Sequence, residues 1–458
     1  MSTSQSQRVG ARRGLSEEEA RELCDTVLGF ARADHTRVNI NSGWRGFTRT
    51  ATNRITTAGG STNTTVRITS VFGRRVARVT TNALSPVDLA EAVGNSEAAA
   101  RLSPEDPEYL PELGPQEYVS VDGYYSNTGD LTPEARAEAM ARGLEAARGS
   151  GTIAAGYMDV TAGARAVATS NGLFAHHSST GVASTLTVRT PDGQSSGWAG
   201  DEAADWTSIE SERIAGDAVR KCLDWRGKAM LEPGEYDVVL EPSAVGMLMR
   251  NMRGAFNART ADEGRAYFSK SGGGTRLGER VFHPRVTIRS DPAAPDAETS
   301  PFAGDGSPVR GGMWVENGVL RSLSYSRAWA ARQGVESRPA PSNLIVDGGD
   351  ASVEDMIASI QRGVLITRFW YIRGLNPRTM SYTGLTRDGT FLIENGTITR
   401  PVTNFRFNQS MVSLLQNVEM LGRPIRVAAS ENSSVSTPIV VPAMKVRGFN
   451  LASVSDAI

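Results

Sequence analysis

"TRVNINSGWRGFTRTATNRITTAGGSTNTTVRITSVFGRRVARVTTN", residues 36–82, alternates apolar with polar side chains and is dense in Thr, Val and Ile. A period of two over such a length marks strands buried on one face, because successive side chains leave a strand on opposite sides. Gly59-Gly60 and Gly73 punctuate the run, so it reads as an antiparallel meander. Immediately upstream, "LSEEEARELCDTVLGFARA" is a helix: Ser16 caps it, Glu19 takes the capping-box position, and Leu23, Val27 and Phe30 share a face. Ser85-Pro86 and Thr132-Pro133 open two more helices with proline in the first turn. The stretch between them, "LSPEDPEYLPELGPQEYVSVDGYY", is rich in proline and acid and reads as an irregular connector. Strands resume over "TIAAGYMDVTAGARAVATSNGLFAHHSSTGVASTLTVRT", and a helix follows near 208–224.

"GKAMLEPGEYDVVLEP" reads as a joint, with Pro233-Gly234 as a turn before a new strand. This divides the chain into a disordered start over 1–14, an N-terminal domain over 15–230 and a C-terminal domain over 231–458. The second half begins with a helix, "VGMLMRNMRGAF" (245–256), and a glycine-rich loop, "SKSGGGTRLGERVF". Asn317-Gly318, Asp388-Gly389 and Asn395-Gly396 each signal a two-residue hairpin, since such turns need positive φ. One helix interrupts the strands, "SVEDMIASIQRG", capped by Ser352 and Asp355 and stopped by Gly363. The fold expected is α+β: a mixed or antiparallel sheet with flanking helices first, then a domain dominated by antiparallel sheet, barrel- or sandwich-like.

Composition bounds the function. The 458 residues are 39% hydrophobic and 22% charged, with a formal net charge of −1. Near-neutrality argues against nucleic acid or anionic lipid as the main partner. The lysines are Lys221, Lys228, Lys270 and Lys445, so almost all positive charge is arginine. Cys24 and Cys222 both fall in expected helices and read as reduced core residues. No secretory signal and no run of about 18 apolar residues is present, so a cytoplasmic chain is expected.

No local pattern carries a reaction. His35, His176, His177 and His283 lack metal-ligand spacing; His176 and His177, adjacent in a strand, point to opposite faces. Asp347, Asp350 and Asp355 look like turn and cap chemistry. Gly227-Lys228 is followed by alanine where a phosphate-binding loop needs Ser or Thr, and "GGGTRLG" has Leu277 at the third glycine position of a dinucleotide motif. "GQSSG" places Ser195 in the pattern of a nucleophile elbow, but Pro191-Asp192-Gly193 announces a hairpin rather than a strand-to-helix turn. In "TRFWYIRGLNPRTMSYTGLTRDGTF", Arg368, Arg373, Arg378 and Arg387 interleave with Phe369, Trp370, Tyr371 and Tyr382. Such a stretch can bind single-stranded nucleic acid or an extended peptide, or be a strand whose aromatic face is core. Neutral net charge favours peptide over nucleic acid.

The block "GVLITRFWYIRGLNPRTMSYTGLTRDGTFLIENGTITRPVTNFRFNQS" resembles the C-terminal region of the TldD/PmbA (TldE) proteins. The likeness extends to "EPGEYDVVLEPSAVGMLM", "RGFTRTATNRI" and "SNGLFAHHSSTG". The resemblance implies a metallopeptidase family whose TldD kind carries His-Glu-x-x-x-His on the helix after the "VVL" strand, with a distal cysteine ligand. Its TldE/PmbA kind lacks these and pairs with the first as a heterodimer. Laid on this chain, the motif falls on Arg250, Asn251 and Ala255, and no cysteine follows Cys222. Arginine has no lone pair to offer a metal, and alanine has no ligating group. The resemblance therefore implies a non-catalytic TldE-type subunit with no catalytic, cofactor-binding or metal residues of its own. Zinc or a similar ion is expected in a TldD-like partner, the substrate being an extended unfolded or leader peptide. A stand-alone hydrolase with a non-standard site, or a peptide- or nucleic-acid-binding protein, is the alternative. Whether Arg250, Arg253 or the Arg/aromatic strands touch substrate is open from sequence.

Overall fold

The computed structural model describes residues 13–455. The opening meander forms as expected but turns elsewhere. Strands β1 (His35–Ala51) and β2 (Arg54–Phe72) are joined at Thr52-Asn53, both with positive φ, while Gly59-Gly60 lies within β2. Asn53 explains the choice: its side chain accepts from Ala154 N and donates to Thr152 O, locking the turn onto the next strand. Gly73 does turn the chain, into β3 (Arg75–Thr81). Two long strands, β4 (Ile153–Thr169) and β5 (Phe174–Arg189), and β6 (Ser196–Ala203) complete an antiparallel sheet of order β3-β2-β1-β4-β5-β6.

One face of this sheet is apolar and covered by helices. Val38 and Ile40 of β1, Val66 and Ile68 of β2 and Ala166 of β4 pack on Ala20, Cys24 and Val27 of helix Glu17–Phe30 and on Leu89 and Val93 of helix Pro86–Leu102. Farther along, Met158, Val160, Val182 and Leu186 pack on helices Pro133–Gly149 and Ser211–Asp224. Each fully buried aliphatic side chain here contributes about 1.5–3 kcal/mol. The capping box at Ser16/Glu19 and the caps at Ser85 and Thr132 form as read from sequence. Both cysteines are buried and free. Most of the expected disordered start, residues 1–12, lies outside the described residues; Arg13 and Gly14 are placed, with the Arg13 guanidinium 3.5 Å from the Trp44 ring centroid.

The second half holds two open sheets that are mostly antiparallel, as the α+β expectation had it, with one parallel pair in each; no closed barrel occurs among the described residues, so only the barrel-like form needs correcting. The larger runs Phe369–Asn376, Ser381–Thr386, Asn404–Ser410, Met444–Ser455, Gly234–Leu240, Arg362–Ile366, Thr390–Glu394, Thr397–Pro401, with Val418–Leu421 on Met444–Ser455. Gly234–Leu240 and Arg362–Ile366 are parallel, as are Leu344–Val346 and Ile439–Val441 in the smaller, six-stranded sheet. Helix Pro242–Met249 lies between the sheets with Ala244 to Met249 all buried, in a core that includes Phe256, Phe268, Trp314, Phe369 and Phe449.

Three local expectations fail for identifiable reasons. Asn317-Gly318 and Asn395-Gly396 are hairpin turns, but Asp388-Gly389 links strands Ser381–Thr386 and Thr390–Glu394, which are not neighbours. Asp388 is instead buried, accepting from Arg368 Nη1 at 3.0 Å and from Ser196 Oγ at 2.8 Å. The helix capped by Ser352 and Asp355 stops at Ala358, and Gly363 already belongs to the next strand, where Asp237 O would meet a Cβ at 2.3 Å. Nor is that helix alone among the strands, since Arg327–Gln333 and Met411–Gln416 are helical too.

Candidate functional site

The helix expected over 245–256 breaks. Pro242–Met249 ends at Arg250, and a separate turn covers Met252–Ala255. The Asn251 amide donates back to Met247 O at 3.3 Å and Leu248 O at 3.4 Å, competing with the backbone for those carbonyls. Arg250 Nη1 donates to Ala429 O at 2.9 Å. Arg253 reaches both ways, Nε to Pro341 O and Nη1 to Thr437 Oγ1, each at 2.9 Å. Ala255 packs against the core. Arg250, at a motif position, and Arg253, which lies between two of them, thus form a clamp holding segments 341 and 429–437 against the helix end.

These groups do not fit a hydrolytic metal. Two are permanently cationic donors, one is a neutral amide turned back on its own helix, and Ala255 offers nothing. No cluster of three or more His, Cys, Asp or Glu suited to a metal occurs among the described residues. Asp347 pairs with Arg289 and Asp355 serves as a cap. His35 meets Asn171, His176 meets Leu15 O, and His283 Nδ1 accepts from Arg285 N.

Ser195 is not poised as a nucleophile. It is buried, follows the Pro191-Asp192-Gly193 turn as the sequence indicates, and its Oγ donates to Cys222 O at 2.5 Å. The Arg/aromatic stretch divides: Phe369 is core, whereas Tyr371, at φ 55, is 48% exposed at a bulge in the outermost strand of the larger sheet. Arg387 lies over Trp370 and Arg373 over Tyr371, so two of the arginines cover their own aromatic neighbours. Arg368 is buried with Asp388, its guanidinium 4.1 Å from the Trp198 ring centroid.

The clamp borders a cleft of about 450 Å³ between the uncovered face of the N-terminal sheet and the second half; Arg165, His177, Arg253, Glu298, Arg426 and Ser436 are among its lining. Its walls are tied together. Arg426 pairs with Glu202 at 3.2 Å, both nearly inaccessible, and Ser436 Oγ donates to the same carboxylate. Val435 N donates to Asp159 Oδ2, whose other oxygen holds Arg45 at 2.5 Å. Burial pushes the Glu202 carboxyl up, opposed by Arg426 and Ser436. Burial, then the charges of His176 and Arg165, push His177 down to about 4, and its Nε2 has no hydrogen-bond partner among the described residues. Tyr125 donates to Glu298 Oε1 at 2.9 Å while Glu298 Oε2 is buried without a hydrogen-bond partner among the described residues. Sequence reading missed Glu298, Glu202 and Arg426: they meet only because distant loops converge, and no local pattern marks them.

Two family models match the chain: one described as PmbA/TldA metallopeptidase C-terminal domain over residues 233–453, and one described as PmbA/TldA metallopeptidase central domain over 127–224. A metalloprotease of Methanothermobacter thermautotrophicus is 28% identical over 214 residues, covering 42% of this chain and 44% of its own. A metalloprotease TldD homolog of Haemophilus influenzae is 25% identical over 263 residues, 52% of each. The chain spans about half the length of the curated relatives it matches. The crystal structure of TldE from Thermococcus kodakarensis superposes with a TM-score of 0.83 at 18% identity, over 94% of this chain and 99% of that one, a likeness of fold.

Proposed function

We propose, because this chain belongs to the PmbA/TldD metallopeptidase family, that it is the family's non-catalytic, TldE-type subunit. It pairs with a metal-bearing TldD-type chain, and its cleft helps enclose an unfolded or leader peptide in extended form. The observation that carries this reading is the occupation of the motif positions. Arg250 and Asn251 hold backbone carbonyls, Ala255 packs, and none supplies an imidazole ligand or a carboxylate base. Without a bound metal there is no water of lowered pKa to attack a peptide bond, so hydrolysis belongs to the companion chain. A whole-length likeness of fold to a TldE supports the choice between the two kinds of member.

Co-expression with a TldD-type chain carrying His-Glu-x-x-x-His tests this. The two should co-elute, cleavage of an unfolded peptide should need both and be abolished by chelator, and this chain alone should be inert. Peptide cleavage by this chain alone, indifferent to chelator, would overturn the proposal.

A further inference from the structure

The face of the N-terminal sheet opposite the helices carries arginines in an ordered array. Asn39 stands opposite Arg67, Thr69 lies between Arg37 and Arg78, Asn41 opposes Arg165, and Arg165 opposes His177. Residues paired across antiparallel strands share a face, as do residues two apart, so all four guanidiniums emerge on the same side. They line one cavity of about 230 Å³, roofed by Phe302 and Gly304 from the second half of the chain. Asn39 Nδ2 donates to Gly304 O at 2.8 Å and holds that roof in place.

Counter-charge is scarce there. Arg37 pairs with Glu112 at 2.7 Å, though its Nε is buried without an acceptor among the described residues. Arg67, Arg78 and Arg165 have no carboxylate within ion-pair distance among the described residues, in a chain whose formal net charge is only −1. Elsewhere this protein pairs its arginines freely: Arg213 alone meets Asp201, Glu210 and Asp217. The array therefore leaves several fork-shaped donors gathered in a concave site and short of an anion.

Arg165 also lines the cleft beside Arg253 and a third cavity of about 380 Å³ that reaches Trp44 and Asn63, so the cationic site continues into the proposed peptide cleft. We infer that the Arg37/Arg67/Arg78/Arg165 face binds Asp and Glu side chains of an extended peptide, giving this subunit a preference for acidic segments. The inference rests on the peptide-enclosing reading above and adds the substrate's chemistry to it. Single-stranded nucleic acid fits less well: the cavity's one ring, Phe302, is 3% exposed and offers no platform for a base.

A fluorescein-labelled peptide with glutamate at alternate positions, and its twin with glutamine there, would be titrated against the full chain by fluorescence anisotropy. The acidic peptide should bind about tenfold more tightly at low ionic strength, as expected of a few partly solvated guanidinium–carboxylate pairs. That advantage should fade as salt shortens the screening length. Arg67→Ala with Arg78→Ala should bring the acidic peptide to the affinity of its twin and leave the twin unchanged; Arg67→Lys with Arg78→Lys should keep part of the preference. Both side chains are exposed, so an unchanged unfolding midpoint separates loss of binding from loss of fold. Equal affinity of the twins overturns the acidic preference while leaving peptide binding intact, and failure of both to bind overturns the two readings together. Displacement of the acidic peptide by inorganic phosphate or single-stranded DNA at far lower concentration than by free glutamate would make this a phosphate site and overturn the inference.

Discussion

At His177 three effects act in the same direction. Burial comes first, and the neighbouring His176 and Arg165 add to it, all disfavouring the imidazolium, with only Asp122 opposing. A histidine held at about 4 in the folded chain and near 6.5 when unfolded binds its proton more readily in the unfolded state. Its contribution to stability is therefore fully present above pH 6.5 and is lost as pH falls from there toward about 4. The loss amounts to roughly 3 kcal/mol at most for a shift of that size. Urea unfolding across this window should show the wild type losing more stability than His177→Gln, which has no proton to gain. Parallel curves for the two would mean that the ring is not held neutral by its surroundings. What the sequence offered at this residue was geometry: two adjacent histidines in a strand cannot share an ion. Its depressed basicity comes first from burial, with His176 and then Arg165, brought opposite by β4, adding to it, and neither the burial nor that cross-strand pairing is written in the local sequence.

Among the elements, the turns show where sequence was readable. Asn317-Gly318 and Asn395-Gly396 turn as read because their neighbouring strands already alternate and the dipeptide only has to accept positive φ. Asp388-Gly389 carries the same local signal, yet a buried guanidinium and a hydroxyl from the other half of the chain claim the aspartate. In the first hairpin the reverse happened: a glycine pair that reads as a turn sits inside β2, and Thr52-Asn53 turns instead because the Asn53 amide docks on β4. Thr52 then adopts φ 50, a conformation that a β-branched residue occupies at a cost. Thr52→Gly should consequently stabilise the protein by about 0.5–1 kcal/mol, the left-handed strain relieved exceeding the extra chain entropy lost. Chemical denaturation checks it: a lower midpoint for Thr52→Gly would show that the threonine's own contacts outweigh its strain. The helix starts were the most legible feature, since Ser16, Ser85, Thr132 and Ser352 each cap through contacts within three residues. The helix break at Asn251 was not, because helical periodicity continues through it and only the amide's return to Met247 interrupts the ladder.

For the whole molecule, the question is how firmly the two halves are joined, since the cleft, and the roof over its cationic face, exist only between them. Buried contacts cross the joint at several points. Ser196 reaches Asp388, Arg368 lies on Trp198, Arg426 pairs with Glu202, Lys221 meets Glu241 at 2.5 Å, and Trp225 Nε1 donates to Val402 O at 2.9 Å. The proposed site was legible from sequence only where resemblance supplied a motif to lay on Arg250, Asn251 and Ala255. These crossing pairs unite positions up to 224 residues apart and leave no local trace. Their energetics are nevertheless specific. Asp388→Ala would leave the Arg368 guanidinium buried with no carboxylate partner but the same surroundings, a change that costs about 3–5 kcal/mol. Because Asp388 also receives the hydroxyl of Ser196, the loss should reach both halves rather than one. Calorimetry of the wild type should accordingly give one transition, with calorimetric and van't Hoff enthalpies in agreement. Asp388→Ala should lower that transition, and the Arg368→Met/Asp388→Ala double variant should recover part of the loss by removing the unpaired charge. Two well-separated transitions in the wild type, or an Asp388→Ala protein as stable as its parent, would mean that these contacts do not couple the halves and that the cleft between them is not a fixed site.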